Sequence, residues 1–132
     1  MAAYLWIAVG SALGGVARYW CSGVAARFMG ETFPWGTIIV NIVGSFSHRL
    51  LRHDHRPRRP HLRRHADQQF VMIGVLGGYT TFSSFSLQTL NLVQDGEWWL
   101  AGANVVLSVV ACLVAVWLGF VLAASINSLK WI

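Results

Sequence analysis

At 132 residues, with 55% of them hydrophobic, 11% charged and a mean hydropathy of +0.53, the chain is too apolar for an ordinary soluble domain and reads as a membrane protein. Its length allows at most four spans of roughly 20 residues, too few to enclose much of a pore alone, so an oligomer is expected. The formal charge of +5 comes from one segment, and the two cysteines, Cys21 and Cys112, lie in apolar runs without a partner at metal-ligand spacing, which argues against a disulfide framework or a thiolate metal site.

The first apolar run, Ala2 to about Met29, suits a long, tilted helix; it lacks a basic start, and no cleavable signal peptide is expected. Arg18 falls well inside it. A charge there is costly, so the guanidinium either faces protein or water for a functional reason or snorkels to the interface. Glu31-Thr-Phe-Pro-Trp forms a short loop, with Pro34 near the start of the next helix and Trp35 at the interface. The second helix is expected over 35–47, and its continuation into 48–55 is left open. Asn41 is its one strongly polar side chain at depth. A buried amide must find partners, either as helix-to-helix glue or as a pore-lining donor.

Residues 48–67 read HRLLRHDHRPRRPHLRRHAD and carry seven of the ten Lys/Arg residues, all five histidines and two of the three prolines. Four readings compete: a basic loop on anionic headgroups, a nucleic-acid arm, a His-rich metal site, or two compensating frameshifts in a GC-rich gene. Irregular spacing and intervening arginines disfavour a metal, and without a folded module around the segment no nucleic-acid partner is expected. The frameshift reading is preferred, and a Leu/Gly-rich helix in the alternative reading frame of the coding DNA is its test.

The third helix is expected over 68–93. Its centre, Gly74 to Ser86, reads GVLGGYTTFSSFS: three glycines followed by five hydroxyl residues, a helix made to break near Gly77 to Thr80. Broken backbone at membrane depth is tolerated only where it is buried in protein or lines a polar cavity, so the break is a candidate site. Phe82 and Phe85, three apart, share a helix face. Their bland reading is packing, as small and hydroxyl residues are common at membrane helix contacts. Gln94-Asp-Gly-Glu forms a turn, Trp98 and Trp99 an interfacial anchor, and a last span over 99–125 carries Asn104 and Ser108 one helical turn apart. This pair serves as interhelical glue, as a polar track, or as both.

The string GGYTTFSSFS resembles the third-helix signature of the CrcB/Fluc family of small fluoride channels. GTIIVNIVGSF (Gly36 to Phe46) and GGVARY (Gly14 to Tyr19) resemble its second- and first-helix motifs in the same order. The resemblance covers nearly the whole chain, and residues 48–67 depart from it where the family completes its second helix. It implies an all-α membrane protein of four transmembrane helices with a break in the third, an antiparallel dual-topology homodimer or a heterodimer with a homologous copy, surrounded by lipid in the plasma membrane. Outside 48–67 the charges balance, Arg18, Arg27 and Lys130 against Glu31, Asp95 and Glu97, which permits insertion both ways. Seven arginines in one loop oppose it.

The resemblance also implies passive fluoride export, no enzymatic activity, and a pore of Phe82, Phe85, Asn41, Thr81, Ser83, Ser84, Asn104 and Ser108. Arg18 would lie near a vestibule, and a structural Na+ would sit on the backbone carbonyls of Gly77 and Thr80. The chemistry suits a small, strongly hydrated anion, since hydroxyls, amides and the electropositive rims of aromatic rings can replace water without a full charge. A proton-coupled exporter would need a carboxylate at membrane depth, and none of the five acidic residues lies inside an apolar run. A membrane-anchored scaffold would explain residues 48–67 and leave the third-helix string without a role.

Overall fold

The computed structural model describes residues 2–52 and 68–129, and every described element is helical. They are α1 (Ala2–Met29), α2 (Trp35–Arg52), a π-helical stretch Gln68–Val75, a single turn α3 (Leu76–Tyr79), α4 (Phe82–Gln94) and α5 (Trp98–Leu129). The segments Gln69–Gln94 and Trp98–Ile126 are long and apolar enough to cross a membrane. Positive-φ glycines end two helices: Gly30 (φ 83) closes α1 on the Ala26 carbonyl at 2.9 Å, and Gly96 (φ 81) closes α4 on that of Val93 at 3.1 Å.

Two glycine pairs at four-residue spacing bring α1 against the third span. A Cβ on Gly10 would meet the Phe70 carbonyl oxygen at 2.5 Å and Gly74 Cα at 2.9 Å; one on Gly14 would overlap the Val75 carbonyl; one on Gly78 would meet the Ser11 carbonyl oxygen at 2.6 Å. Small residues in this register let backbones touch, and in lipid that contact is what drives helix association. Gly14→Val is therefore expected to destabilise the protein by roughly 1–3 kcal/mol or more, read as a lower melting temperature in detergent. Gly15→Ala, where a Cβ meets nothing within 4 Å, should change little.

On α5, Ala101, Asn104, Ser108, Ala115, Gly119 and Ala123 are buried at helical spacing, while Trp98, Trp99, Val106, Leu113 and Trp117 are exposed. The buried stripe consists of small and polar residues, so α5 packs closely on one side and offers lipid-compatible bulk on the others. Gly119 lies against the Phe46 carbonyl oxygen (2.8 Å from a built Cβ) and Arg49 Cβ (3.3 Å).

The continuation of the second helix past 47, left open above, is present: α2 runs through His48, Arg49, Leu50 and Leu51 to Arg52. Its 18 residues reach about 27 Å at 1.5 Å per residue, close to a bilayer core. Arg49 is held there because its guanidinium carbon sits 4.6 Å from the centroid of the Phe120 ring, a cation–π contact. The remainder of the basic segment, 53–67, lies outside the described residues, so the frameshift, headgroup, nucleic-acid and metal readings of it are not addressed by the fold. The break, expected near Gly77 to Thr80, falls at Thr80 and Thr81; Gly77, Gly78 and Tyr79 are helical. Gly78 provides close approach to Ser11 rather than unwinding.

Candidate functional site

Thr80 (φ −77, ψ 155) and Thr81 (φ −152, ψ 118) are extended, and each side chain closes one side of the break. The Thr80 N–H and Oγ1 both donate to the Leu76 carbonyl at 3.0 Å, ending α3. Thr81 Oγ1 accepts from the Ser84 N–H at 3.2 Å, an N-cap that starts α4. It also donates to Ser84 Oγ at 3.1 Å and lies 3.2 Å from Ser83 Oγ.

Asn41 of α2 locks the break. Its Nδ2 donates to the Thr81 carbonyl at 3.0 Å and its Oδ1 accepts the Thr81 N–H at 2.8 Å. The side-chain amide thus stands in for a peptide unit and satisfies both groups that a broken helix strands. Of the two roles open to Asn41, glue between helices is accounted for by these bonds. A consequence follows for two carbonyls. In an unbroken helix the Thr81 and Ser84 amides would close on Gly77 and Thr80; here both are taken by side chains. The Gly77 and Thr80 carbonyl oxygens are thereby released from their helical partners.

Beside the break is a cavity of about 590 Å³ whose wall includes Asn41, Gly77, Thr80, Thr81, Phe82, Phe85 and Ser108, with no Asp or Glu among its described lining residues. The Phe82 and Phe85 rings have centroids 5.3 Å apart and planes tilted by 45°. Phe82 is 78% exposed and Phe85 half-buried. A second network fixes α4 to α5 behind the rings: Thr89 Oγ1 donates to the Phe85 carbonyl (2.8 Å), Asn104 Nδ2 to Thr89 Oγ1 (2.8 Å), and Ser108 Oγ to Asn104 Oδ1 (3.3 Å).

Of the residues singled out by sequence, Ser83, Ser84, Asn104 and Arg18 do not line this cavity. The two serines stand behind Thr81, Asn104 stands behind Ser108 with 1% exposure, and Arg18 is half-buried on α1. Sequence reasoning passed over Thr89, although a hydroxyl one turn beyond Phe85 on the same face was a usable signal. Thr89→Val removes the acceptor for a buried amide, at about 1–3 kcal/mol. Denaturation in detergent should register that loss, and Thr89→Ser should avoid it. A stable Thr89→Val protein would show that Asn104 does not depend on this bond.

Thr80, Thr81 and Ser108 already direct their protons to Leu76, Ser84 and Asn104. Asn41 Nδ2 has two hydrogens and spends one on Thr81. Beside the break the donors left are the second amide hydrogen and the positive rims of the two rings; Ser45, His48 and Arg49 line the same cavity further along α2.

Membrane-length apolar helices and a side-chain-locked helix break beside a largely apolar cavity with a few polar groups at its wall define a small helical membrane protein. Residues 5–120 match the family model described as CrcB-like protein, Camphor Resistance, and the chain belongs to that family. It is 57% identical over 130 residues to a fluoride-specific ion channel FluC of Opitutus terrae, covering 98% of both chains. It is also similar to the fluoride-specific ion channels FluC of Methylocella silvestris, 52% identical over 96% of this chain and 97% of the relative, and of Rhodospirillum rubrum, 54% identical over 94% and 96%.

Proposed function

We propose that the chain forms a fluoride-selective channel that lets the ion leave the cell passively across the plasma membrane, relieving fluoride toxicity. The observation that carries this reading is the Asn41-locked break, which sets a free amide hydrogen and two phenylalanine rings on one cavity. At the break itself a dehydrating anion meets neutral donors, and the guanidinium-bearing Arg49 stands about 12 Å further along the same wall, so the ion is stabilised there but not trapped. That no carboxylate is among the described lining residues favours conduction over proton exchange, which needs a titrating acid.

The working unit in this reading is an antiparallel homodimer of four-helix subunits in lipid, or a heterodimer with a homologous copy. The extra arginines of residues 48–67 oppose dual insertion, and cross-linking of tagged copies in membranes tests which orientation is present. A structural Na+ fits the donor set, since the two carbonyl oxygens released at Gly77 and Thr80 are neutral, hard ligands of the kind alkali cations accept at helix breaks. Bound there, it would supply positive charge near the passage and tie the subunits together. Exchange of Na+ for a large organic cation is expected to lower the melting temperature of the purified protein by mass action; identical melting in both would remove the ion from the account.

Growth of bacteria lacking their own fluoride exporter tests the function in cells. The chain should restore growth in millimolar fluoride on the order of the wild-type exporter's effect. Membrane-inserted protein that gives no protection would contradict the proposal.

A further inference from the structure

The cavity wall contributed by α2 is a stripe of Asn41, Gly44, Ser45, His48 and Arg49, the i, i+3, i+4, i+7, i+8 face of one helix. Asn41 holds the break at one end of that stripe. His48 and Arg49 close the other, about 10–12 Å away at 1.5 Å per residue. Met72, Cys112 and Val116 also line the cavity, all uncharged, and no acidic side chain is among the described lining residues. His48 is exposed and Arg49 half-buried, with its guanidinium fixed over Phe120. The last turn of α2 also contributes its helix-dipole negative end, which favours cations there.

From this arrangement we infer that His48 and Arg49 form a cationic mouth that concentrates small anions at one end of the cavity, ahead of the Asn41 and phenylalanine site. The inference deepens the anion passage proposed above by adding a specificity-determining entrance on this chain's own residues. Charge of one sign between low-dielectric walls focuses the field and raises local counter-ion concentration by tenfold or more. The effect screens with salt, because the mouth is in contact with solvent.

Cys112 of α5 lines the same cavity and serves as a reporter that needs no ion flow. In a Cys21→Ser background, the thiol is reacted with two methanethiosulfonates of similar size, one carrying a sulfonate and the other a trimethylammonium, and modification is followed by intact mass. After correction for each reagent's rate with a free thiol, the sulfonate should react on the order of tenfold faster. That preference should collapse toward unity in Arg49→Gln with His48→Gln, persist in Arg49→Lys, and shrink in molar salt. Should the double variant fail to fold for want of the Phe120 contact, Arg49→Lys and the salt series on the parent carry the test. Equal rates in the parent, a preference that ignores salt, or a Cys112 closed to both reagents would each overturn the inference. A protein that conducts fluoride with no charge preference at Cys112 overturns this entrance and leaves the proposed function standing.

Discussion

Asn41→Ala is expected to reduce fluoride efflux from liposomes by on the order of 100-fold and to lower stability by about 2–4 kcal/mol. The reason lies in Thr81, which is buried and has both its N–H and its carbonyl satisfied by that one side chain at 2.8 and 3.0 Å. Truncation strands two main-chain groups, each at about 1–3 kcal/mol, and 1.36 kcal/mol is a decade of rate if the loss is expressed in the passage. Asn41→Asp separates the two parts of the argument. A carboxylate still accepts the Thr81 N–H but cannot donate to the Thr81 carbonyl, and it sets a negative charge on the cavity wall. Efflux should fall at least as far as in the alanine variant, and a fully conducting Asn41→Asp protein would show that neither the lock nor the local potential matters.

The second large effect is at Phe82, where stability and flux should part company. The ring is 78% exposed, so Phe82→Ala should change the melting temperature little, as surface substitutions fall within about 0.5 kcal/mol. Fluoride efflux should nonetheless drop by about 10- to 100-fold, because the ring rim is one of the few positive edges left at the wall once the hydroxyl protons are engaged. Phe82→Leu keeps apolar bulk and loses the rim. Leucine that conducts as well as phenylalanine would reduce Phe82 to a spacer. Phe85, half-buried and with its carbonyl held by Thr89 at 2.8 Å, should lose both stability and flux on truncation, so it discriminates less well.

Much of this site was legible in the amino-acid order because its chemistry is local. A run of hydroxyls after glycines, two phenylalanines three apart and one amide on the preceding helix are read from spacing alone, and α1 begins and ends where its apolar run does. What was hidden depends on partners far along the chain. The break sits at Thr80 and Thr81 rather than over the glycines because Gly74 and Gly78 are pressed against Gly10 and Ser11, a pairing invisible to local pattern. The second helix runs on through a basic stretch in which Arg49 packs over Phe120, about 70 residues away, a contact that local pattern does not reveal. Thr89 escaped notice because its importance comes from a bond to Asn104, on another helix.

Ser83 and Ser84 illustrate the same division. Composition marks them as donors, yet their hydroxyls lie within 3.2 Å of Thr81 Oγ1 and shape the start of α4. Ser108, by contrast, lines the cavity while giving its proton to Asn104. A passing anion that draws on Ser108 must turn that hydroxyl away from Asn104, at a cost of about 0.5–1.5 kcal/mol for a net hydrogen bond. The amide hydrogen of Asn41 carries no such cost, which places it first among the donors.

The central claim is that a locked helix break passes fluoride without a coupled proton and without admitting larger halides. Purified protein in liposomes loaded with both fluoride and chloride, followed with ion-specific electrodes at equal pH inside and out, tests it directly. The account predicts rapid fluoride release with chloride retained. Equal release of the two ions, or fluoride release that appears only when a proton gradient is imposed, would contradict it.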